Sequence, residues 1–229
     1  MNRENTKGKK AKAGLRSFFT SMQSNLRDGS AVLEHESNRF AKLKAGPLRR
    51  FFLGEDFVRI GIIGKGHVGS ALAQGLSRAG HEIKFGHRDP AESVKDAVIW
   101  GEINVLAVPF SSVKDAVREI GVAADGKVLI DAVNAIGPNM ELAVGFKTSE
   151  AEELQKMLPK CRVVKALNTT FAHTMTTGKL GNEKITIFAA GDDLEAKRIV
   201  IELAKGIGFD AVDAGPLRTA RYLEPRGCS

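Results

Sequence analysis

The run Val58-Arg59-Ile60-Gly61-Ile62-Ile63-Gly64-Lys65-Gly66-His67-Val68-Gly69 decides the fold. Its first six residues are short, β-branched and apolar, as a strand buried on both faces must be. Three glycines follow in the spacing G-x-G-x-x-G. Gly64 permits a tight turn, Gly66 lets the backbone approach a pyrophosphate, and Gly69 allows a helix to pack closely on the strand. Val68, Leu72, Ala73 and Leu76 then recur at helical spacing, which predicts a helix from Ser70 to Ala79 ended by Gly80-His81. Glu82-Ile83-Lys84-Phe85-Gly86 reads as the second strand. The glycine spacing alone is weak evidence, but strand, turn, helix and strand in this order give it a context. The reading is a dinucleotide site, with the phosphates at the helix N-terminus; the competing reading is a glycine-rich turn with no ligand.

The tip of the second strand bears on which dinucleotide. A site for NAD usually has a carboxylate there, roughly 20 residues past the glycines, to accept from the ribose 2′-hydroxyl. Here the tip is Gly86-His87-Arg88-Asp89. His87 and Arg88 offer donors and positive charge, and a guanidinium suits a bidentate grip on phosphate. NADP is favoured over NAD, although Asp89 could turn toward a hydroxyl and Arg88 could point to solvent.

Outward from this unit the alternation continues. Val94 to Trp100 is a helical patch, and Ile103 to Phe110 a third buried strand closed by Pro109. Ser111 is expected to cap a helix through Ile120, and Lys127 to Asp131 is a fourth strand leading to Ala132-Val133-Asn134-Ala135. Ser149 and Glu152 form a capping box for a helix from Glu150 to Leu158. Val163 to Thr169 is a fifth strand and Ile185 to Ala190 a sixth. Gly191-Asp192-Asp193 opens a helix to Gly206, and Phe209 to Asp213 is the last strand. Repeated βα units with run-like strands predict an α/β fold of Rossmann type, a doubly wound parallel sheet with a small C-terminal α/β extension that stops early. Ligands in such sheets sit at the carboxyl ends of the strands. That gathers Val108-Pro109-Phe110, Asn134 and Asn168-Thr169 around one crevice with the glycine loop. Asn134 reads equally as a turn residue, and Asn168 as a helix cap.

The chain of 229 residues is 43% hydrophobic, enough for a sizeable core. No run approaches the roughly 18 apolar residues of a membrane span. Cys161 and Cys228 offer neither a disulfide framework nor metal-ligand spacing, which suits a reducing, cytoplasmic compartment. The net charge of +7 is unevenly placed. Residues 1–53 hold 12 Lys+Arg against four Asp+Glu, whereas the rest of the chain holds 22 against 23. The basic excess therefore lies in an N-terminal arm and gives no reason to expect nucleic acid as a partner of the body. The division expected is an arm over 1–53, a dinucleotide-binding domain over 54–225 and a tail over 226–229. Within the arm, Leu15, Phe18, Phe19, Met22 and Leu26 fall at helical spacing. A helix docked on the body, a membrane-surface or partner helix, a targeting segment and a mis-assigned gene start all remain open for it.

Taken as an ordered series, these motifs resemble a known family. The glycine loop with Gly86-His87-Arg88, Ala107-Val108-Pro109, Asp131-Ala132-Val133-Asn134, Val164 to Thr169, Gly191-Asp192-Asp193, Asp213 to Leu217 and Ala220 to Glu224 are similar to the NADP oxidoreductases that use the deazaflavin coenzyme F-420. The reductase domains of the six-transmembrane metalloreductases are relatives of these. The resemblance spans about Phe57 to Pro225. It implies a Rossmann domain that holds NADP(H) with its nicotinamide facing a deazaflavin or flavin ring. Lys65, Gly66, His67 and Val68 would line the pyrophosphate, with Gly64 and Gly69 shaping the loop, and His87 and Arg88 would take the 2′-phosphate. Val108, Pro109 and Asn134 would flank the nicotinamide ribose, and Ala166, Asn168 and Thr169 would sit where the two rings meet. Hydride transfer between stacked rings needs no acid–base dyad and no metal, and His173 reads as a surface loop residue.

The family usually continues past Leu-Glu-Pro into a closing helix that often serves dimerisation, and the basic arm is not part of its pattern. The expected activity is hydride transfer between NADP(H) and a small-molecule redox acceptor, flavin-like or coenzyme F-420, in a chain that a homodimer would suit. Two other readings compete. One is a dinucleotide sensor whose catalytic half lies elsewhere. The other is a relative of the β-hydroxyacid dehydrogenases and pyrroline-carboxylate reductases, which append a long helical domain after the last strand.

Overall fold

The computed structural model describes residues 57–226 apart from Pro138, Met140 and Phe146; the basic arm and the segment with its apolar face at Leu15 to Leu26 lie outside the described residues, as does Cys228. The described body, from Val58 onward, forms one compact unit. Strand β1 (Arg59–Ile63) leads through the glycine loop into helix α1 (His67–Arg78), which returns to β2 (Glu82–Gly86). Helix α2 (Val94–Trp100), β3 (Ile103–Leu106), α3 (Val113–Ile120), β4 (Val128–Asp131), α4 (Glu150–Met157) and β5 (Arg162–Lys165) continue the alternation. A hairpin of β6 (Lys179–Leu180) and β7 (Glu183–Lys184) precedes β8 (Thr186–Gly191), α5 (Leu194–Ile207), β9 (Asp210–Asp213) and α6 (Ala220–Arg226).

Seven strands make one sheet in the order β2-β1-β3-β4-β5-β8-β9. β3 and β4 are buried at every position, because helices cover both faces of the sheet centre. The edge strands β2 and β9 alternate or lie open, so their polar residues find water. Leu72, Ala73 and Leu76 of α1 pack inward with Gly69 and Gly75, the face that the 3.6-residue spacing predicts.

Two expectations need correction. The sheet is not wholly parallel: β5 and β8 pair antiparallel through Val164 with Gly191 and Lys165 with Ala190. Parallel neighbours require a crossover, usually helical. Residues 166–185 supply only a 3₁₀ turn and the small hairpin, so the chain returns in the opposite direction. β8 and β9, which do have α5 between them, are again parallel. Ser111 is not the cap of α3 either. It lies inside a 3₁₀ turn (Phe110–Ser112), and Ser112 precedes the helix without a side-chain capping bond. The predicted cap at Ser149 is present, its Oγ accepting from Glu152 N at 3.2 Å, and at the helix that Gly191-Asp192-Asp193 opens Asp193 Oδ1 accepts from Ala196 N at 2.8 Å. No helix among the described residues is long and apolar enough to cross a membrane.

Candidate active site

The strand order reverses direction beside β1: the chain goes from β1 to β2 on one side and then returns to β3 on the other. Such a switch point opens a crevice at the carboxyl ends of the strands, where open α/β sheets hold their ligands. The glycine loop lies in that opening. Gly64 has φ +105°, and a Cβ there would lie 2.3 Å from the carbonyl oxygen of Ala107 beyond β3. A Cβ on Gly69 would come within 2.1 Å of the Gly64 oxygen. Both glycines are therefore demanded by the protein's own packing. Gly66 is different. A Cβ there would meet no atom within 4 Å, so the fold itself does not demand glycine at this position.

Helix α1 begins at this position. The first intrahelical bond runs from Ser70 N to Gly66 O at 2.9 Å. The amides of His67, Val68 and Gly69 thus point out of the helix start, Gly66 provides no side-chain cap, and no acidic residue stands in the first turn. Free N–H groups and the positive end of the helix dipole together form an anion site. Val68 is half-buried beside the loop, while Lys65, Gly66 and His67 are exposed.

Across the β2 tip Lys65 and His87 are already engaged by one carboxylate. Lys65 Nζ donates to both oxygens of Glu92 at 2.9 Å, and His87 Nε2 lies 2.5 Å from Glu92 Oε2. The Lys65 ammonium, and secondarily His87, hold the Glu92 carboxyl below the usual carboxylate range. Asp89 accepts from Ala91 N at 3.0 Å, which commits it to the turn after β2. Arg88 is exposed and pairs with no carboxylate among the described residues.

On the other wall, Val108 is half-buried, with its side chain near the Gly64 turn, and Pro109 is exposed. Asn134 and Asn168 are brought together, but onto each other. Asn134 Nδ2 donates to Asn168 O at 2.9 Å, and Asn168 Nδ2 donates to Asn134 Oδ1 at 2.9 Å and to Leu223 O at 3.1 Å. Ala166 is fully buried and Thr169 half-buried. Between them Leu167 has φ +66°, the left-handed region, and is buried. This bend, unfavourable for a branched side chain, turns Asn168 toward Asn134. His173 is exposed and stacks on Phe171 with centroids 5.8 Å apart.

Beneath these two asparagines lies a feature that sequence reasoning missed. Asp131 ends β4, Lys165 ends β5, and the two are register partners. Lys165 Nζ lies 2.9 Å from Asp131, 3.2 Å from Glu150 and 3.1 Å from Glu224, all with side chains at most 2% exposed, and it also donates to the Val133 carbonyl. Three carboxylates this close could suggest a metal site, but the ammonium of Lys165 already supplies the central cation. Three buried negative charges against one positive charge are costly. Burial, followed by the nearby Asp131 charge, pushes the Glu150 carboxyl up to about 9, so Glu150 is neutral at physiological pH. The Glu224 oxygens accept from the N-terminal amides of α4, Glu150 N at 2.9 Å and Ala151 N at 3.1 Å. The cluster ties α6 and α4 to the strand ends that carry Asn134 and Asn168. The signal was present in the sequence: a Lys within Val163-Val164-Lys165-Ala166-Leu167 cannot be buried without a partner.

Residues Arg59 to Val98 match the family model described as "NADP oxidoreductase coenzyme F420-dependent". The chain is a homologue of these NADP oxidoreductases. It is 31% identical over 179 residues to the metalloreductase STEAP3 of Rattus norvegicus, a match covering 72% of this chain but 36% of that protein. The chain thus spans little more than a third of the length of that relative. An F420-dependent NADP reductase of Methanocaldococcus jannaschii is 29% identical over 140 residues, covering 57% of this chain and 60% of the reductase. A solved structure from Arthrobacter sp. FB24, described as a candidate F420-dependent NADP reductase, superposes with a TM-score of 0.70 at 28% identity. It covers 74% of this chain and 90% of that one. All three proteins are named as reductases, and the solved one shares the fold.

Proposed function

We propose that this protein is an NADPH-dependent oxidoreductase that moves a hydride between NADP(H) and a flavin-like or deazaflavin acceptor, with coenzyme F-420 as the deazaflavin. The observation that carries the reading is the start of α1. Three outward amides, an open Gly66 and a first turn without acids fit a pyrophosphate. Lys65, His67 and Val68 border that position. Arg88 and His87 stand at the β2 tip to meet the 2′-phosphate, with the Arg88 guanidinium, which pairs with no carboxylate among the described residues, as the stronger of the two. Val108, Pro109 and Asn134 bound the nicotinamide side, and Thr169 lies at the outer edge beside the buried Ala166 and Asn168.

When bound, NADPH supplies the hydride. The work of the chain is to fix two rings face to face, and proximity and orientation carry most of such a step. The Asn134–Asn168 pair and the buried Lys165 cluster serve this end by holding the loops after β4 and β5 rigid. A reducing, cytoplasmic setting agrees with the buried free thiol Cys161, which burial pushes up to about 12 and so keeps unreactive. The test is steady-state loss of NADPH absorbance with FMN, FAD or coenzyme F-420 added in turn. Turnover with one of them supports the reading. Tight NADPH binding with no turnover on any would point to a sensor instead.

A further inference from the structure

We propose that Glu92 limits the selectivity of the site for the 2′-phosphorylated cofactor, by occupying with its own carboxylate the anion position between Lys65 and His87. This rests on the NADP(H) reading above and goes beyond it. The backbone is built to bring Glu92 there. His87 N donates to Glu92 O at 2.8 Å and the Asp89 carboxylate caps Ala91 N, so the turn after β2 folds back on itself. The Glu92 side chain then crosses to the glycine loop, where it takes two bonds from Lys65 and one contact from His87. Lys65 is held over the Phe85 ring as well, its Nζ 5.4 Å from the centroid. The Lys65 ammonium is thus already paired and the His87 Nε2 already taken, leaving Arg88 as the exposed positive charge at the tip.

An arriving 2′-phosphate meets occupied donors and a like charge, and it must push Glu92 toward solvent before it can use Lys65 or His87. The neutral 2′-hydroxyl of NADH meets no such repulsion and can donate to the carboxylate. Glu92 therefore narrows the preference for NADPH that His87 and Arg88 would otherwise give. Its side chain is 36% exposed, so its removal leaves the core untouched.

The test is calorimetric titration of the full chain, Glu92→Gln and Glu92→Ala with NADPH, NADH and 2′,5′-ADP at low salt. The expected result is that both variants bind NADPH and 2′,5′-ADP at least about threefold more tightly, the scale of an exposed charge pair, while NADH binding is unchanged or weaker. Unchanged or weaker NADPH binding in both variants, with the parent chain binding NADPH normally, overturns the role of Glu92 and leaves the cofactor reading standing. Failure of the parent and both variants to bind NADPH or 2′,5′-ADP overturns the cofactor reading and this inference with it.

Discussion

Lys165 Nζ lies 3.1 Å from Glu224 Oε1 with both side chains at 0% exposure, so the end of β5 is locked to α6 by a fully desolvated ion pair. Glu224 also caps α4 through Glu150 N and Ala151 N. Removing Glu224 leaves Lys165 paired with Asp131 but strips two buried helix amides of their acceptor. Glu224→Ala is expected to cost about 1–3 kcal/mol of stability for each amide left unsatisfied. Glu224→Gln keeps an acceptor for the amides and should cost less. Urea unfolding of the two variants measures the difference; equal, small losses would mean that the pair is not what holds α6.

Glu150 gives a pH dependence of definite sign. Its folded pKa of about 9 lies above the ordinary carboxyl value of 4.5. Between those values the native state keeps a proton that the unfolded chain has lost, so stability falls as pH rises through that window. The slope from one such group is at most about 1.4 kcal/mol per pH unit. His81, whose pKa burial lowers, acts in the opposite sense below pH 6.5. The difference between parent and Glu150→Gln therefore isolates Glu150. The variant should lose the downward slope between pH 7 and 9 and gain relative stability as pH rises. Parallel curves for the two proteins would show that Glu150 is ionised in the fold.

The glycine loop separates packing from ligand binding. Gly69→Ala forces a Cβ to 2.1 Å from a backbone oxygen and should destabilise by roughly 1–3 kcal/mol. Gly66→Ala places a methyl in open space at a residue with φ −77°. It should melt within about 1 kcal/mol of the parent yet bind NADPH far more weakly, because the methyl stands where the pyrophosphate approaches the amides. Thermal melts paired with calorimetry check both; parental NADPH affinity in Gly66→Ala would remove the phosphates from this loop.

Arg88→Ala should weaken NADPH roughly tenfold or more, the scale of a charge-assisted hydrogen bond, and leave NADH little changed. Titration of both cofactors against this variant is the check. Equal losses for the two would mean that Arg88 does not read the 2′-phosphate.

Much of this fold was legible because parallel strands buried on both faces announce themselves as apolar runs, as in Ile103 to Leu106 and Val128 to Asp131. The roles of Gly64 and Gly69 were legible too, since a positive φ and a close helix contact each exclude a side chain. Strand direction at β8 was not, because nothing in Ile185 to Ala190 states which way its neighbour runs. Asn134 and Asn168 stood out as polar residues at strand ends, but their pairing joins positions 34 apart in the chain. Nothing in the local sequence singles out Glu92, and only the three-dimensional turn brings it to Lys65 from 27 residues away. The buried cluster draws its four ionisable side chains from β4, α4, β5 and α6, and the local pattern points only to Lys165, not to the three carboxyl groups around it.

Side-by-side calorimetric titration of the full chain with NADPH and NADH tests the central claim most directly. The account predicts one NADPH per chain, bound more tightly than NADH and lost in Gly66→Ala. A chain that binds neither dinucleotide, or that binds NADPH equally well with Gly66 replaced, would contradict it.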